Sequence, residues 1–138
     1  MLALASSASY DQNVMRVKAT REGHPGRDIS ACGWKLDDHV SFCALPSERA
    51  LHMHVRIRNP ENNRSTIAEV LDVGPWSEED DEYVFHGARP LAENNRRKLC
   101  GNMEEQHFTN KAGIDLGEKV WRALGMKGNT DVDWEFIS

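Results

Sequence analysis

A β-hairpin pattern constrains the fold of this chain more than any other feature. Two runs, residues 52–58 and 65–73, have the composition and alternation of strands, and residues 59–64 between them have the residue types of a turn. Gly74-Pro75 follows directly and stops the second run. We therefore predict an antiparallel hairpin whose second strand ends at a sharp break.

Shorter patterns on either side of the hairpin predict two further strands and a short helix, so the fold is expected to be mainly β. Residues 14–20 and 132–136 alternate as single strands. The spacing of Asp115 and Glu118 is that of a capping box and predicts a helix over residues 116–124. Several short strands with one or two short helices and long loops are typical of a small closed barrel.

Length and charge narrow the function classes. The chain has 138 residues, which suits one domain, and its net charge of −5 argues against a nucleic-acid binder. No apolar run reaches the ~18 residues that span a bilayer. We expect residues 1–13 to be a flexible N-terminal arm or the remnant of a processed or mis-started leader. We expect residues 14–138 to form a barrel domain, with a polar, irregular loop over residues 76–110.

Four motifs in a fixed order carry a family resemblance. They are the turn of the hairpin, its end at residues 70–76, the segment 109–125 with its Ile-Asp-Leu sequence, and the closing strand, and Leu45-Pro46 lies upstream of them. Together they resemble the rare lipoprotein A-like and expansin-like double-psi β-barrels. The resemblance implies a six-stranded double-psi β-barrel that acts on polysaccharide.

The resemblance also implies a chemistry and two catalytic residues. Members of the family include lytic transglycosylases that cleave peptidoglycan glycan strands, and the family's catalytic aspartate matches Asp72. Asp115 matches an aspartate that lies in the cleft of related barrels. We therefore expect a transglycosylase or glycosidase with Asp72 as general acid and Asp115 close by as its electrostatic partner.

Two departures from the family pattern keep other functions open. Residues 30–33 and 42–44 replace the segments in which the family carries a glutamate and a histidine. Asp28, Asp37 and His39 are the candidates to stand in for them. The alternatives are a non-catalytic, expansin-like carbohydrate-binding module and a barrel with a structural or interaction role.

Both aspartates also have structural interpretations. Asp72 ends an apolar strand, where burial favours a protonated carboxyl, but an aspartate before Gly74-Pro75 is also suited to bonding the backbone of the turn. Asp115 has the position of a helix N-cap, which contributes about 1 kcal/mol. A cap can also face a cleft, so the two interpretations of Asp115 are compatible.

Further side chains are candidates for substrate binding. Trp76 and Tyr83 are aromatic residues that can stack on sugars, and Arg56 and Asp28 are polar candidates. His52 and His54 share a strand face, but a metal site needs a third ligand and the sequence indicates none. We therefore predict that both side chains are solvated, and we expect no metal and no cofactor.

The three cysteines leave the redox state open. Any disulfide is expected to join Cys100 to Cys32 or Cys43, and three reduced thiols fit the sequence equally well. We expect a monomer that is secreted or held in the cell envelope, with a phage-associated or cytoplasmic origin left open.

Overall fold

A closed six-stranded β-barrel dominates the part of the chain that the computed structural model describes, residues 14–22, 39–75, 79–99 and 103–137. The strands are β1 (Met15–Arg21), β2 (Phe42–Leu45), β3 (His54–Arg58), β4 (Ser65–Val73), β5 (Arg96–Leu99), β6 (Met103–Gln106), β7 (Ile114–Leu116) and β8 (Asp131–Ile137). Two short helices accompany them, α1 (Asp81–His86) and α2 (Glu118–Ala123), with single 3-10 turns at Glu48–Ala50 and Leu91–Asn94.

The barrel closes in the order β1-β7-β2-β4-β3-β8, and β8 pairs with β1. Strand β1 runs parallel to β7, and β2 runs parallel to β4, whereas the other neighbours are antiparallel. Strands β5 and β6 form a separate two-stranded sheet. The predicted mainly β fold, a six-stranded double-psi β-barrel, is confirmed.

Alternation along the strands fills the barrel with apolar side chains. Trp134 and Tyr83 are the largest of the fully or almost fully buried residues, and their rings meet edge to face at 5.9 Å. The Tyr83 hydroxyl donates to the Gly113 carbonyl at 2.8 Å and accepts from Trp134 Nε1 at 2.8 Å. These bonds satisfy the polar atoms of two core aromatics.

The structure confirms the predicted hairpin and revises other elements. Strands β3 and β4 pair antiparallel, and β4 covers the predicted residues 65–73. Helix α2 is shorter than predicted, although Gly125 takes the positive φ of 62° expected after a helix end. The prediction of an irregular segment over residues 76–110 is wrong, because this segment contains α1, a 3-10 turn, β5 and β6.

Some expectations fall on residues outside the described ranges. The predicted N-terminal arm, residues 1–13, is one of them, as are Cys32 and Cys100. Cys43 is a free thiol buried in the barrel core, so the predicted alternative of a Cys43–Cys100 disulfide does not occur. Within the described ranges, no helix has the length and apolarity needed to cross a membrane.

Candidate functional site

A row of four residues crosses four adjacent strands of the barrel wall. Thr20 on β1 pairs with Asp115 on β7, Asp115 pairs with Ala44 on β2, and Ala44 pairs with Asp72 on β4. Residues opposite each other in a ladder point to the same face of the sheet. The strand neighbours Ala19, Ile114 and Leu116 belong to the barrel core, so Thr20 and Asp115 lie on the outer face of the wall. There the Thr20 hydroxyl donates to Asp115 Oδ1.

A β-bulge brings Asp72 into this row. Cys43 pairs with Val70, but the next residue of β2, Ala44, pairs with Asp72, so Leu71 is the extra residue of β4. Under strict alternation Asp72 would share the inward face of Val70, which is fully buried in the core. The bulge therefore turns the Asp72 carboxylate from the barrel interior to the face that carries Asp115.

The environment of Asp115 favours its protonated form. Burial raises the pKa of Asp115 to about 6, and the negative charge of Asp72 adds to the rise, whereas the hydrogen bond from Thr20 opposes it. Oδ1 is occupied by Thr20, and Oδ2 lies 3.4 Å from the point where a Cβ on Gly74 would stand. The absence of a side chain on Gly74 leaves the Oδ2 side of the carboxyl uncrowded.

Asp115 lies in a groove of about 470 Å³. Every lining residue except Pro75 is polar, and the lining comes from β1, β7 and loops beside the strands: Thr20, Arg21, Glu22, Pro75, Asn110, Asp115 and Asn129. Asp72 lies beside this lining, two strands from Asp115, and its Oδ1 accepts from the Val73 N–H at 3.0 Å. The groove thus combines an acid with a raised pKa, the Glu22 carboxylate and amide groups that can bond hydroxyls, and Asp72 adds a carboxylate beside it.

A buried carboxylate orders one edge of the groove. Arg21 donates from Nε and a terminal nitrogen to the two carboxylate oxygens of Glu118, each at 2.6 Å, and Arg122 donates to Glu118 at 2.8 Å. The Arg21 guanidinium also lies over the Trp121 ring, 5.6 Å from its centroid. These contacts lower the pKa of Glu118 and fix Arg21 against helix α2.

The capping role predicted for Asp115 is wrong. Asp115 lies in strand β7, and the N-cap of α2 is Gly117, which makes no side-chain capping bond. Glu118, the other half of the predicted capping box, bonds to Arg21 and Arg122 instead. The Asp115 carboxyl therefore lines the groove instead of capping the helix.

Of the other predicted site residues, the structure describes Tyr83 and Arg56, and neither lines the Asp115 groove. Trp76 and Asp28 lie outside the described ranges. Tyr83 is fully buried, so we assign it to the core rather than to a substrate site. Arg56 is exposed on β3 and lines a different groove.

His52 and His54 both lie beside Glu69, and Cys43 lies in the barrel core. His52 Nδ1 lies 3.0 Å from Glu69 Oε2, and His54 Nε2 lies 3.9 Å from Glu69 Oε1. Across the described ranges, no three His, Cys, Asp or Glu side chains are placed to hold a metal ion. Burial raises the pKa of the Cys43 thiol, which disfavours a nucleophilic thiolate.

Three groove residues at the end of β1 were not predicted. Thr20, Arg21 and Glu22 follow an alternating strand and precede a Gly- and Pro-containing loop, as Asp72 precedes Gly74-Pro75. The same signal, a polar residue where an alternating strand meets a Gly- and Pro-containing turn, is present at the end of β1. Applying it to β1 would have found Thr20 and Glu22.

Comparison with known proteins gives one family and a fold. A family model described as Domain of unknown function (DUF8814) matches residues 13–135. The Streptomyces papain inhibitor is similar in structure, with a TM-score of 0.50, 16% identity, and coverage of 91% of this chain and 94% of that one. An apo expansin from Clavibacter michiganensis gives a TM-score of 0.48 at 14% identity and covers 91% of this chain, which spans 50% of the expansin chain. A comparison with curated proteins finds no match.

Proposed function

Since the chain belongs to the family described as Domain of unknown function (DUF8814), we propose a function from the site itself: the barrel binds a cell-wall polysaccharide in the Asp115 groove and cleaves a glycosidic bond there. The observation that carries this proposal is the placement of a carboxyl with a pKa of about 6 in a polar groove, in one row with a second carboxylate.

Glycoside cleavage needs a proton donor for the leaving oxygen. An ordinary aspartate, with a pKa near 3.9, is almost wholly ionised at pH 6, whereas a carboxyl with a pKa of about 6 is half protonated there. Asp115 Oδ1 accepts from Thr20, so Oδ2 is the oxygen that can carry and deliver the proton. We therefore exchange the roles expected from the sequence and propose Asp115 as the general acid.

Asp72 then supplies the second carboxylate of the site. Its Cα lies two strands from that of Asp115, which corresponds to about 10 Å across the sheet. Two carboxyl groups that flank a scissile bond serve as acid and as base or electrostatic partner. In this arrangement the Asp72 charge keeps the proton on Asp115 and stabilises positive charge that develops on the sugar ring.

The bond changes are few. Asp115 gives its proton to the glycosidic oxygen, and the bond between this oxygen and the anomeric carbon breaks. The anomeric carbon is then attacked by water in a hydrolase or by the 6-hydroxyl of the same sugar in a lytic transglycosylase. The attacking oxygen loses its proton to the Asp115 carboxylate, which restores the protonated Asp115 and the ionised Asp72 of the starting state.

We propose the glycan strand of peptidoglycan as the substrate, on the strength of the motif resemblance. A cell-wall substrate places the protein in the envelope or outside the cell, and the proposal requires only a monomer. The polar lining of Asn110 and Asn129 suits the hydroxyl and amide groups of such a glycan.

Mass spectrometry of peptidoglycan sacculi after incubation with the protein tests the proposal. Products with 1,6-anhydro ends identify a transglycosylase, and new reducing ends identify a hydrolase. Binding of sacculi without soluble products would replace cleavage by a carbohydrate-binding role. If the protein neither binds sacculi nor releases products, the proposal is contradicted. A structural or interaction role then remains for the barrel. Asp131→Asn is the matched control for Asp115→Asn, because Asp131 is exposed on β8 and lines neither the Asp115 groove nor the groove at Arg56.

A further inference from the structure

A second groove, of about 400 Å³, lies on the outer wall of the barrel where β1, β3 and β8 adjoin. Three arginines dominate its lining, which consists of Val14, Arg16, Arg56, Arg58, Asp133 and Glu135. Three guanidinium groups face two carboxylates here, so the groove is locally cationic in a chain whose net charge is −5. The proposed catalytic chemistry uses none of these residues.

Asp133 fixes two of the arginines. Arg16 Nε donates to Asp133 Oδ1 at 2.7 Å and a terminal nitrogen donates to Oδ2 at 3.0 Å, while Arg58 donates to Oδ2 at 2.8 Å. The Asp133 side chain is only 10% exposed, whereas those of Arg16 and Arg58 are 55% and 41% exposed. One buried carboxylate therefore holds two guanidiniums at the surface of the groove.

Arg56 is the arginine available to a ligand. It pairs in register with Glu135, yet within the described ranges no hydrogen bond or ion pair engages its guanidinium. The Arg56 side chain is exposed, so it can turn toward a bound anion. A guanidinium presents paired donors that match the two oxygens of a carboxylate.

Strand β1 connects this groove to the Asp115 groove. Arg16 and Thr20 lie on the same outer face of β1, four residues and about 13 Å apart, and each lines one of the two grooves. A few sugar units of an extended polysaccharide cover this distance. A chain bound across Asp115 can therefore reach the arginines.

We propose that the groove formed by Arg16, Arg56 and Arg58 binds a carboxylate carried by the polysaccharide, with Arg56 as the residue that closes on it. This inference rests on the proposed function and adds a substrate class, a glycan with acidic sugars. Arg56 forms the bidentate contact, and Arg16 and Arg58 supply fixed positive charge beside it. Glu135 opposes the anion and limits the affinity.

A matched pair of tetrasaccharides tests the proposal by isothermal titration calorimetry. One is a peptidoglycan glycan freed of its peptides, whose N-acetylmuramic acid units carry free lactyl carboxylates. The other is chitotetraose, which has the same β-1,4-linked backbone without carboxylates. The chain carrying Asp115→Asn is used throughout, so that neither ligand is cleaved during the titration.

We expect Arg56→Ala to weaken binding of the muramyl tetrasaccharide about tenfold and to leave chitotetraose unchanged. Arg56→Lys should recover only part of the loss, because it keeps the charge but not the paired donors. Glu135→Gln should tighten binding of the acidic ligand. Lys119→Ala removes the same unit of charge from an exposed position on α2 and should change neither affinity.

Equal affinities of the Asp115→Asn chains with and without Arg56→Ala for the muramyl ligand would overturn the inference, and so would an equal loss on chitotetraose. Arg56-dependent binding of poly-glutamate without binding of either glycan would also overturn it, since the ligand would then be an acidic peptide. Cleavage of sacculi at the wild-type rate by Arg56→Ala, with unchanged affinity, would reject this inference alone and leave the proposed function standing.

Discussion

The Thr20 hydroxyl donates a hydrogen bond to Asp115 Oδ1 across the parallel pair β1 and β7. This bond stabilises the carboxylate and lowers the pKa of Asp115, while burial raises it to about 6. Thr20→Val removes the donor at nearly constant volume, so the pKa of Asp115 should rise further. We expect the alkaline limb of the kcat/KM profile to move to higher pH, and Thr20→Ser to leave it in place. An unmoved limb in Thr20→Val would contradict the assignment of Asp115 as the acid.

Asp72→Asn should move the same limb in the opposite direction. The negative charge of Asp72 raises the pKa of Asp115, so its removal should lower that pKa and shift the limb to lower pH. Activity at neutral pH should also fall, because the second carboxylate is lost. The pH profile of kcat/KM separates these two effects. A fall in activity with no shift of the limb would mean that the two carboxylates do not interact.

Asp115 should also make stability depend on pH. Its pKa is raised from 3.8 to about 6, so between these values the folded chain binds more protons than the unfolded chain. The contribution of Asp115 is therefore fully present below about pH 4 and is lost as the pH rises through about 6. Asp115→Asn cannot ionise and does not lose this stability. The free energy of unfolding of the variant minus that of wild type should therefore increase from about pH 4 to about pH 7, by up to about 3 kcal/mol. Urea unfolding at the two pH values measures the change, and a constant difference would contradict it.

The hairpin could be predicted from sequence because its strands alternate and its turn is local. The environments of Asp72 and Asp115 could not be predicted, because they depend on residues that are distant in sequence. Asp115 has the spacing of a helix cap, and its place in a strand depends on pairing with Ala44 and with Thr20, which is 95 residues away. The Leu71 bulge that turns Asp72 outward leaves no mark in the alternation. The motif resemblance nevertheless identifies Asp72 and Asp115 as candidate catalytic residues, which periodicity alone does not.

The segment 81–106 shows a different limit. Its elements are short, and they gain order from contacts with the rest of the chain. The buried Asp80 carboxylate, for example, accepts from the Leu91 N–H at 2.8 Å. Short elements of this kind carry little periodic signal of their own.

Gly117 should tolerate no side chain. A Cβ at this position would lie 2.4 Å from the Phe42 ring, which packs on the outer face of the wall. We expect Gly117→Ala to lower the free energy of unfolding by about 1–3 kcal/mol through overpacking. Gly128→Ala is the matched control, because nothing lies within 4 Å of its Cβ position. Thermal unfolding of both variants measures the difference, and equal melting temperatures would show that the Phe42 ring moves aside freely.

The release of soluble fragments from peptidoglycan sacculi by wild-type and Asp115→Asn chains, at a pH of about 5, tests the central claim most directly. Loss of general acid catalysis typically costs about 10²–10⁴ in rate. We predict that Asp115→Asn loses turnover by such a factor while it stays folded and binds sacculi like wild type. Fragment release by Asp115→Asn at the wild-type rate would contradict the claim that Asp115 donates the proton.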